Sequence, residues 1–278
     1  MTGLSEGSPR VRLYGPNTQG RDFVVGDIHG AFHLLHQAML ETGFIPGVDR
    51  IFSLGDLIDR GDESRQVADV LQIPGFNAVL GNHEAMLLDF VEECGIESND
   101  LFAIHLRNGL GWWKEVALPE RRRIVEALKK LPIAIQVNTP RGRVGLVHAD
   151  VPEGMDWPEF LRALSQRDQY AEHCALWSRE RVQNSNTNGV VGIDRVMVGH
   201  TPMVDGVQRL GNVYFVDTAA VFAVQRGVPD MGLTFANLCV STTMLDHSRP
   251  GVDMLNILDA SPQSSRPFSE YALKVATP

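Results

Sequence analysis

Three short apolar runs, each closed by a glycine and a knot of polar residues, constrain this chain more than any other feature. Phe23-Val24-Val25 runs into Gly26-Asp27-Ile28-His29-Gly30, and Ile51-Phe52-Ser53-Leu54 into Gly55-Asp56-Leu57-Ile58-Asp59-Arg60-Gly61. Asn77-Ala78-Val79-Leu80 runs into Gly81-Asn82-His83-Glu84. Each run reads as a short strand ended by its glycine. Between them the spacing turns helical, with Phe32, Leu34, Leu35, Ala38 and Met39 over 31–42, then Val67, Val70 and Leu71, then Glu84 to Val91. Three strand–loop–helix units in succession predict a parallel α/β opening. In such sheets ligands sit beyond the carboxyl ends of the strands.

The stretch 101–131 reads as helical, with Pro119-Glu120 at a helix start and Ile124, Val125, Leu128 and Leu131 on one face. Its Arg121-Arg122-Arg123 and Lys129-Lys130, interleaved with Glu120 and Glu126, read as a solvated face. Beyond Pro132 come short β-like runs at 133–138, 143–147, 195–198, 207–210, 213–216 and 233–240, with a helix near 158–168. Residues 1–20, rich in Gly, Ser, Pro and Arg, read as a flexible N-terminal arm, 21–245 as the functional domain, and 246–278 as a C-terminal extension.

Composition removes several classes of function. The net charge of −9 disfavours a bulk electrostatic grip on nucleic acid. No apolar run reaches the ~18–20 residues of a membrane helix, and Met1 to Arg10 lacks the apolar core of a secretory signal. Cys94, Cys174 and Cys239 are too widely spaced for a disulfide framework or a cysteine-based zinc site. The expectation is a cytoplasmic protein with reduced thiols.

The chemistry lies at the strand ends. Two later runs finish in the same manner, Val147-His148-Ala149-Asp150 and Val198-Gly199-His200-Thr201-Pro202. Taken singly, Asp27 suits a helix N-cap, His29 a loop and Asn82 a turn. Together, five such clusters in order exceed coincidence, since Gly-Asp-x-His-Gly alone arises by chance in under ~1% of chains this long. Asp27, Asp56, His29, His148, His200 and Asn82 supply oxygen and nitrogen donors without thiolate, a set suited to Mn²⁺, Fe or Zn²⁺. They are too many for one ordinary centre. They suit two ions about 3.5–4 Å apart that share a carboxylate, the arrangement that clamps in-line displacement at phosphorus.

These motifs resemble those of the calcineurin-like metallophosphoesterases, in particular the serine/threonine protein phosphatase branch with its GDxHG, GDxxDRG, GNHE, HA and GH signatures. Within it they look most like the lambda-like phosphatases, which share Trp177-Ser178-Arg179-Glu180-Arg181 and Asp217-Thr218-Ala219-Ala220-Val221-Phe222. The likeness runs from about residue 22 to about 240. It implies two mixed β-sheets packed as a sandwich, flanked by helices. It implies one divalent ion on Asp27, His29 and Asp56 and a second on Asp56, Asn82, His148 and His200, with Asp56 bridging and Mn²⁺ as the favoured metal. His83 matches the general acid, Asp59 the carboxylate that holds it, and Arg60 and Arg179 the pair that grips phosphate. Arg181, two residues on, competes with Arg179 for that part. Ala219 stands where the family often has glycine.

The implied reaction is direct attack of a metal-bridging hydroxide on phosphoserine or phosphothreonine in proteins, and to some extent on phosphotyrosine. Two divalent ions lower the pKa of a water between them toward neutrality. Arginine forks match phosphoryl oxygens, and an imidazolium beside Asp59 can protonate the leaving oxygen. A symmetrical dinucleoside tetraphosphatase is the alternative on the same fold. Those enzymes usually carry Ala-Arg-Gly and Asn-His-Asp where this chain has Asp59-Arg60-Gly61 and Asn82-His83-Glu84. A catalytically silent metal-binding scaffold predicts a lost ligand or acid, and none is lost. Trp112 and Trp113 read as core or pocket-wall aromatics.

Overall fold

A computed structural model describes residues 8–227, 231–239 and the strand 254–257. In chain order it runs β1 (Val11–Tyr14), β2 (Asp22–Val25), α1 (Phe32–Glu41), β3 (Arg50–Ser53), α2 (Val67–Val70), β4 (Phe76–Ala78) and α3 (Asn82–Cys94). Then follow α4 (Ala103–Arg107), α5 (Leu118–Leu128), β5 (Ala134–Thr139), β6 (Gly142–Val147), α6 (Trp157–Ser165), α7 (Gln169–Trp177) and α8 (Glu180–Gln183). The last elements are β7 (Arg195–Val198), β8 (Gln208–Leu210), β9 (Val213–Phe215), α9 (Ala220–Arg226), β10 (Leu233–Asn237) and β11 (Met254–Ile257).

The strands form two mixed sheets. One has the order β1-β5-β6-β7-β9-β8 and the other β11-β10-β2-β3-β4. Within the second, β2, β3 and β4 are parallel, as the three opening units predict. Within the first, β6, β7 and β9 are parallel. Side-chain alternation builds the layers. Val24, Phe52 and Leu54 pack with Ile135, Val137, Val144, Leu146 and Met197 between the sheets. Phe23, Val25 and Ile51, of opposite parity, pack with Phe32, Leu35, Leu80 and Leu88 in the helical layer. Both faces are therefore buried, which is why these strands read as continuous apolar runs.

Two segments depart from expectation, the N-terminal arm and the basic run of α5, and a third adds a strand within the C-terminal extension. Within the N-terminal arm, Val11–Tyr14 is the parallel edge partner of β5. The Arg10 carbonyl accepts the Ile133 and Ala134 amides, and its guanidinium reaches Glu172 at 2.5 Å. Within the C-terminal extension, β11 pairs antiparallel with β10, Leu233 opposite Ile257. The rest of 246–278 and residues 1–7 lie outside the described residues. On α5, Arg121 is buried rather than solvated. It donates to the carbonyls of Val116, Ile96, Ser98 and Trp113, tying the connection before α5 into the core.

Candidate active site

The parallel strands of both sheets point their carboxyl ends at one seam, and hydrogen bonds cross it there. His148, after β6, has Nδ1 2.7 Å from the Leu54 carbonyl, which follows β3 in the other sheet. The His200 amide, after β7, donates to both oxygens of Asp27, after β2, at 3.0 and 3.2 Å. Close approach is built into the glycines. A Cβ on Gly199 would run into Asp27 Oδ1, and one on Gly81 into the Asp56 amide.

Asp56 sits at the centre. Its Oδ2 lies 3.5 Å from His29 Nε2, and its Oδ1 lies 3.4 Å from His148 Nε2. Two groups of donor atoms, each within 4.8 Å of one another, share it: His29, Asp56 and His83, and Asp56, His148 and His200. Asn82 joins the second, with Oδ1 2.8 Å from His148 Nε2 and 2.9 Å from His200 Nδ1. Among the expected ligands Asp27 stands apart from these groups, its carboxylate turned to the His200 amide. Asp27, His29, Asp56, Asn82, His148 and His200 are all buried.

The donor set fits divalent cations. His29 and His148 turn Nδ1 to the carbonyls of Ile58, at 2.9 Å, and Leu54, leaving Nε2 toward Asp56. Burial lowers the pKa of both rings and, with the nearby His148, holds His200 at about 3. Neutral imidazole is the ligating form. Burial opposes ionisation of Asp56, yet His148, His83, His29 and His200 hold its carboxyl well below the usual range. Burial, Asp217 and Asp56 raise Asp27. Such crowding of acidic charge is what a cation relieves.

His83 heads α3. Its Nδ1 is 2.7 Å from Asp59 Oδ2. Burial opposes its charging, but Asp56 and Asp59 prevail and raise its pKa. The Arg60 guanidinium spans two rings, 2.5 Å from His29 Nε2 and 3.1 Å from His83 Nε2. Arg179 is exposed and turned inward, its Nε 3.2 Å from His200 Nε2 and its Nη2 3.1 Å from the His200 carbonyl. Arg181 points elsewhere. It is buried, with Nε 2.9 Å from Asp150 Oδ1 and Nη1 2.6 Å from the Asn188 carbonyl.

Three contributors escape sequence reading. Glu84 accepts the amides of Asp56, Leu57, Ile58 and Gly81, fixing the β3 loop to the start of α3. Burial and then Asp56 push its pKa up to about 7. Trp112 Nε1 donates to Asp59 Oδ1 at 2.8 Å, so it braces the carboxylate that holds His83. Asp217, after β9, is buried and accepts the Ala219 amide, and burial raises it to about 6. Its strand-end position was the available signal, but no glycine precedes it. Backbone strain collects here too. Among the described residues, eight non-glycines have positive φ, and six of them are His29, Asp56, Asp59, Arg60, His200 and Ala219.

Two histidine groups that share one buried carboxylate, with arginines at the rim, define a metal-dependent phosphoesterase. The chain belongs to the calcineurin-like phosphoesterase family, whose profile matches residues 23–224. It is 34% identical over 208 residues to serine/threonine-protein phosphatase 1 of Salmonella typhimurium, covering 73% of this chain and 88% of that protein. It is 33% identical to serine/threonine-protein phosphatase 2 of Escherichia coli, covering 71% and 87%. The symmetrical bis(5'-nucleosyl)-tetraphosphatase of Erwinia tasmaniensis is 29% identical, with 57% of this chain and 60% of that protein covered. The solved protein serine/threonine phosphatase from Saccharomyces cerevisiae with similarity to human PP5 shares the fold. Its TM-score is 0.58 at 16% identity, over 94% of this chain and 88% of that one.

Proposed function

We propose that this phosphatase hydrolyses phosphoserine and phosphothreonine in proteins, and phosphotyrosine to a lesser extent. The observation that carries the reading is the sharing of Asp56 between the two histidine groups. The extent of the matches supports the protein substrate, since 88% and 87% of the two phosphatases are covered against 60% of the tetraphosphatase. The similarity to that last enzyme keeps a dinucleoside polyphosphate as the second reading.

In this reading Asp27, His29 and Asp56 hold one divalent ion and Asp56, Asn82, His148 and His200 the other, with Mn²⁺ favoured and Fe or Zn²⁺ admissible. Two such ions supply an activated water and neutralise charge on the phosphoryl group. Arg60 and Arg179 hold two phosphoryl oxygens and keep the phosphorus in line with the departing group. His83, charged beside Asp59, gives its Nε2 proton to the leaving side-chain oxygen, and Trp112 keeps Asp59 oriented as it does. Asp27 would add its carboxylate to the first ion while its oxygens accept the His200 amide. Among the described residues no helix is long and apolar enough to cross a membrane. With Cys94, Cys174 and Cys239 all free, we place the enzyme in the cytoplasm. The domain extends over 21–245, and Val11–Tyr14 and Met254–Ile257 add edge strands to it.

Metal-reconstituted enzyme assayed side by side on phosphoserine and phosphothreonine peptides, p-nitrophenyl phosphate and diadenosine tetraphosphate tests the reading. Unrelated phosphopeptides should give similar kcat/KM values, and the dinucleotide a lower one. A value for the dinucleotide above every phosphopeptide overturns the protein assignment.

A further inference from the structure

Helix α9 supplies no residue to the ligand cluster, yet two of its side chains meet on Arg60. Gln225 Nε2 donates to the Arg60 carbonyl at 2.9 Å. Phe222, three residues earlier and so on the same side of the helix, carries the guanidinium over its ring, with Arg60 Cζ 5.7 Å from the centroid. One helix thus holds both the backbone and the charged head of a single arginine. The Arg226 guanidinium lies over the same ring at 5.0 Å, so the ring is fixed within its own helix as well as against the loop. The start of the helix is fixed in turn. The Asp217 carboxylate accepts the Ala219 amide at 2.8 Å, and Thr218 Oγ1 donates to the Gly232 carbonyl at 2.6 Å.

Arg60 needs such support. Its φ of 68° is left-handed, a conformation that costs energy in a residue with a Cβ and persists where the surroundings impose it. The turn at Gly109 presses on the same backbone, since a Cβ there would lie 2.4 Å from the Arg60 nitrogen. The side chain is long, and fixing it forfeits much rotamer freedom. A flat aromatic face restricts the plane of a guanidinium and leaves its N–H edge free for an anion. Arg179 is held differently, through the ring nitrogen and carbonyl of His200.

We propose that Phe222 and Gln225 are positioning residues that aim the Arg60 fork at the phosphoryl oxygens of the substrate. This rests on the assignment of Arg60 to phosphate. Arg60 follows β3 of the five-stranded sheet, whereas α9 follows β9 of the six-stranded sheet, so the brace also ties one sheet to the other.

The test measures competitive inhibition by inorganic phosphate of p-nitrophenyl phosphate hydrolysis, in metal-loaded full-length enzyme. Phe222→Leu should raise the inhibition constant roughly three- to thirtyfold, as loss of a cation–π contact implies, and Phe222→Tyr should restore it. Gln225→Ala, an exposed change, should raise it roughly three- to tenfold. Val224→Ala, exposed on the same helix, should leave it unchanged. Each loss should vanish in an Arg60→Ala background, because a residue that acts through Arg60 then has nothing to aim. A merely structural role would persist there. If Phe222→Leu does not fold, Gln225→Ala decides by the same cycle. Equal losses with and without Arg60, wild-type inhibition in both α9 variants, or loss of an ion from either by elemental analysis overturns the proposal and leaves Arg60 in its role. Wild-type inhibition in Arg60→Ala overturns the assignment of Arg60 itself, and the proposal with it.

Discussion

The two sheets contribute to the site in different ways. The six-stranded sheet delivers His148 and His200 directly from the ends of β6 and β7, and His148 is held by the Leu54 carbonyl at Nδ1 and the Asn82 side-chain oxygen at Nε2. The five-stranded sheet delivers Asp27, His29, Asp56, Asp59 and Arg60 on loops. Four of those residues carry positive φ, and two of the four, Asp56 and Asp59, are held by a buried glutamate and a tryptophan. One half sits directly at the ends of regular strands, with positive φ at His200 alone of its two histidines. The other is positioned by polar contacts that must all be made at once, and strained backbone there persists only because its surroundings over-determine it. Damage to the loop side should therefore cost chemistry well before it costs the fold.

The largest effect is expected where the halves meet. Asp56→Asn should lower kcat by on the order of 10⁴ or more. Elemental analysis should find fewer than two ions per chain, and two tightly held ions in that variant would break the shared-carboxylate description. His83→Asn should retain both ions and lose ~10²–10⁴ of the rate on alkyl phosphates, and less on aryl phosphates whose leaving groups need little protonation. Equal losses on both substrates would assign His83 another task.

Two arginines sharpen the contrast between rim and core. Arg179→Ala should lower kcat/KM by ~10²–10³ with the melting temperature unchanged. Arg181→Met strands Asp150 in the interior and should cost about 3–5 kcal/mol of stability, with the surviving folded fraction active. The reverse outcome would exchange their roles. Glu84→Gln replaces a four-fold acceptor by a group with one oxygen, and should weaken metal affinity roughly 10–100-fold by isothermal titration. An unchanged affinity would show that the β3 loop holds its shape without Glu84. The smallest effect belongs to Ala219, whose φ of 63° is disfavoured for a residue with a Cβ. Ala219→Gly should raise the melting temperature by ~2–4 °C, corresponding to about 1 kcal/mol, without changing turnover.

The sequence revealed those parts that carry a local signature of their own. Parallel strands buried on both faces announce themselves as apolar runs, and the glycine after each marks where polar side chains turn inward. Val11–Tyr14 escaped because an edge strand of four partly exposed residues carries no periodicity worth reading. Glu84 escaped for another reason. Three of its four partners lie 26 to 28 residues away in the β3 loop, and all four are backbone amides, which leave no trace in residue type. Trp112 reaches Asp59 across 53 residues, and its indole N–H is indistinguishable in sequence from that of Trp113 in the core. Arg121 looked solvated because its neighbours are charged, whereas its donors serve four carbonyls that only the folded connection brings near.

Each sheet borrows a strand from the far end of the chain. β1 joins strands that begin at Ala134, and β10 closes against β2, with Ala236 opposite Val24. On the ribosome, then, the loops bearing Asp27 and Asp56 emerge long before the strand that flanks β2 or the histidines that face them. At synthesis rates of about 5–20 residues per second, ten seconds or more separate the two ends of that pairing. The nascent chain carries Asp27, His29, Asp56 and His83 without His148 for the first part of that interval and without His200 for most of it, and pairing over such a separation is slow to nucleate. Catalytic competence is thereby a property of the finished chain, and a truncation anywhere before β10 should yield no partially active fragment.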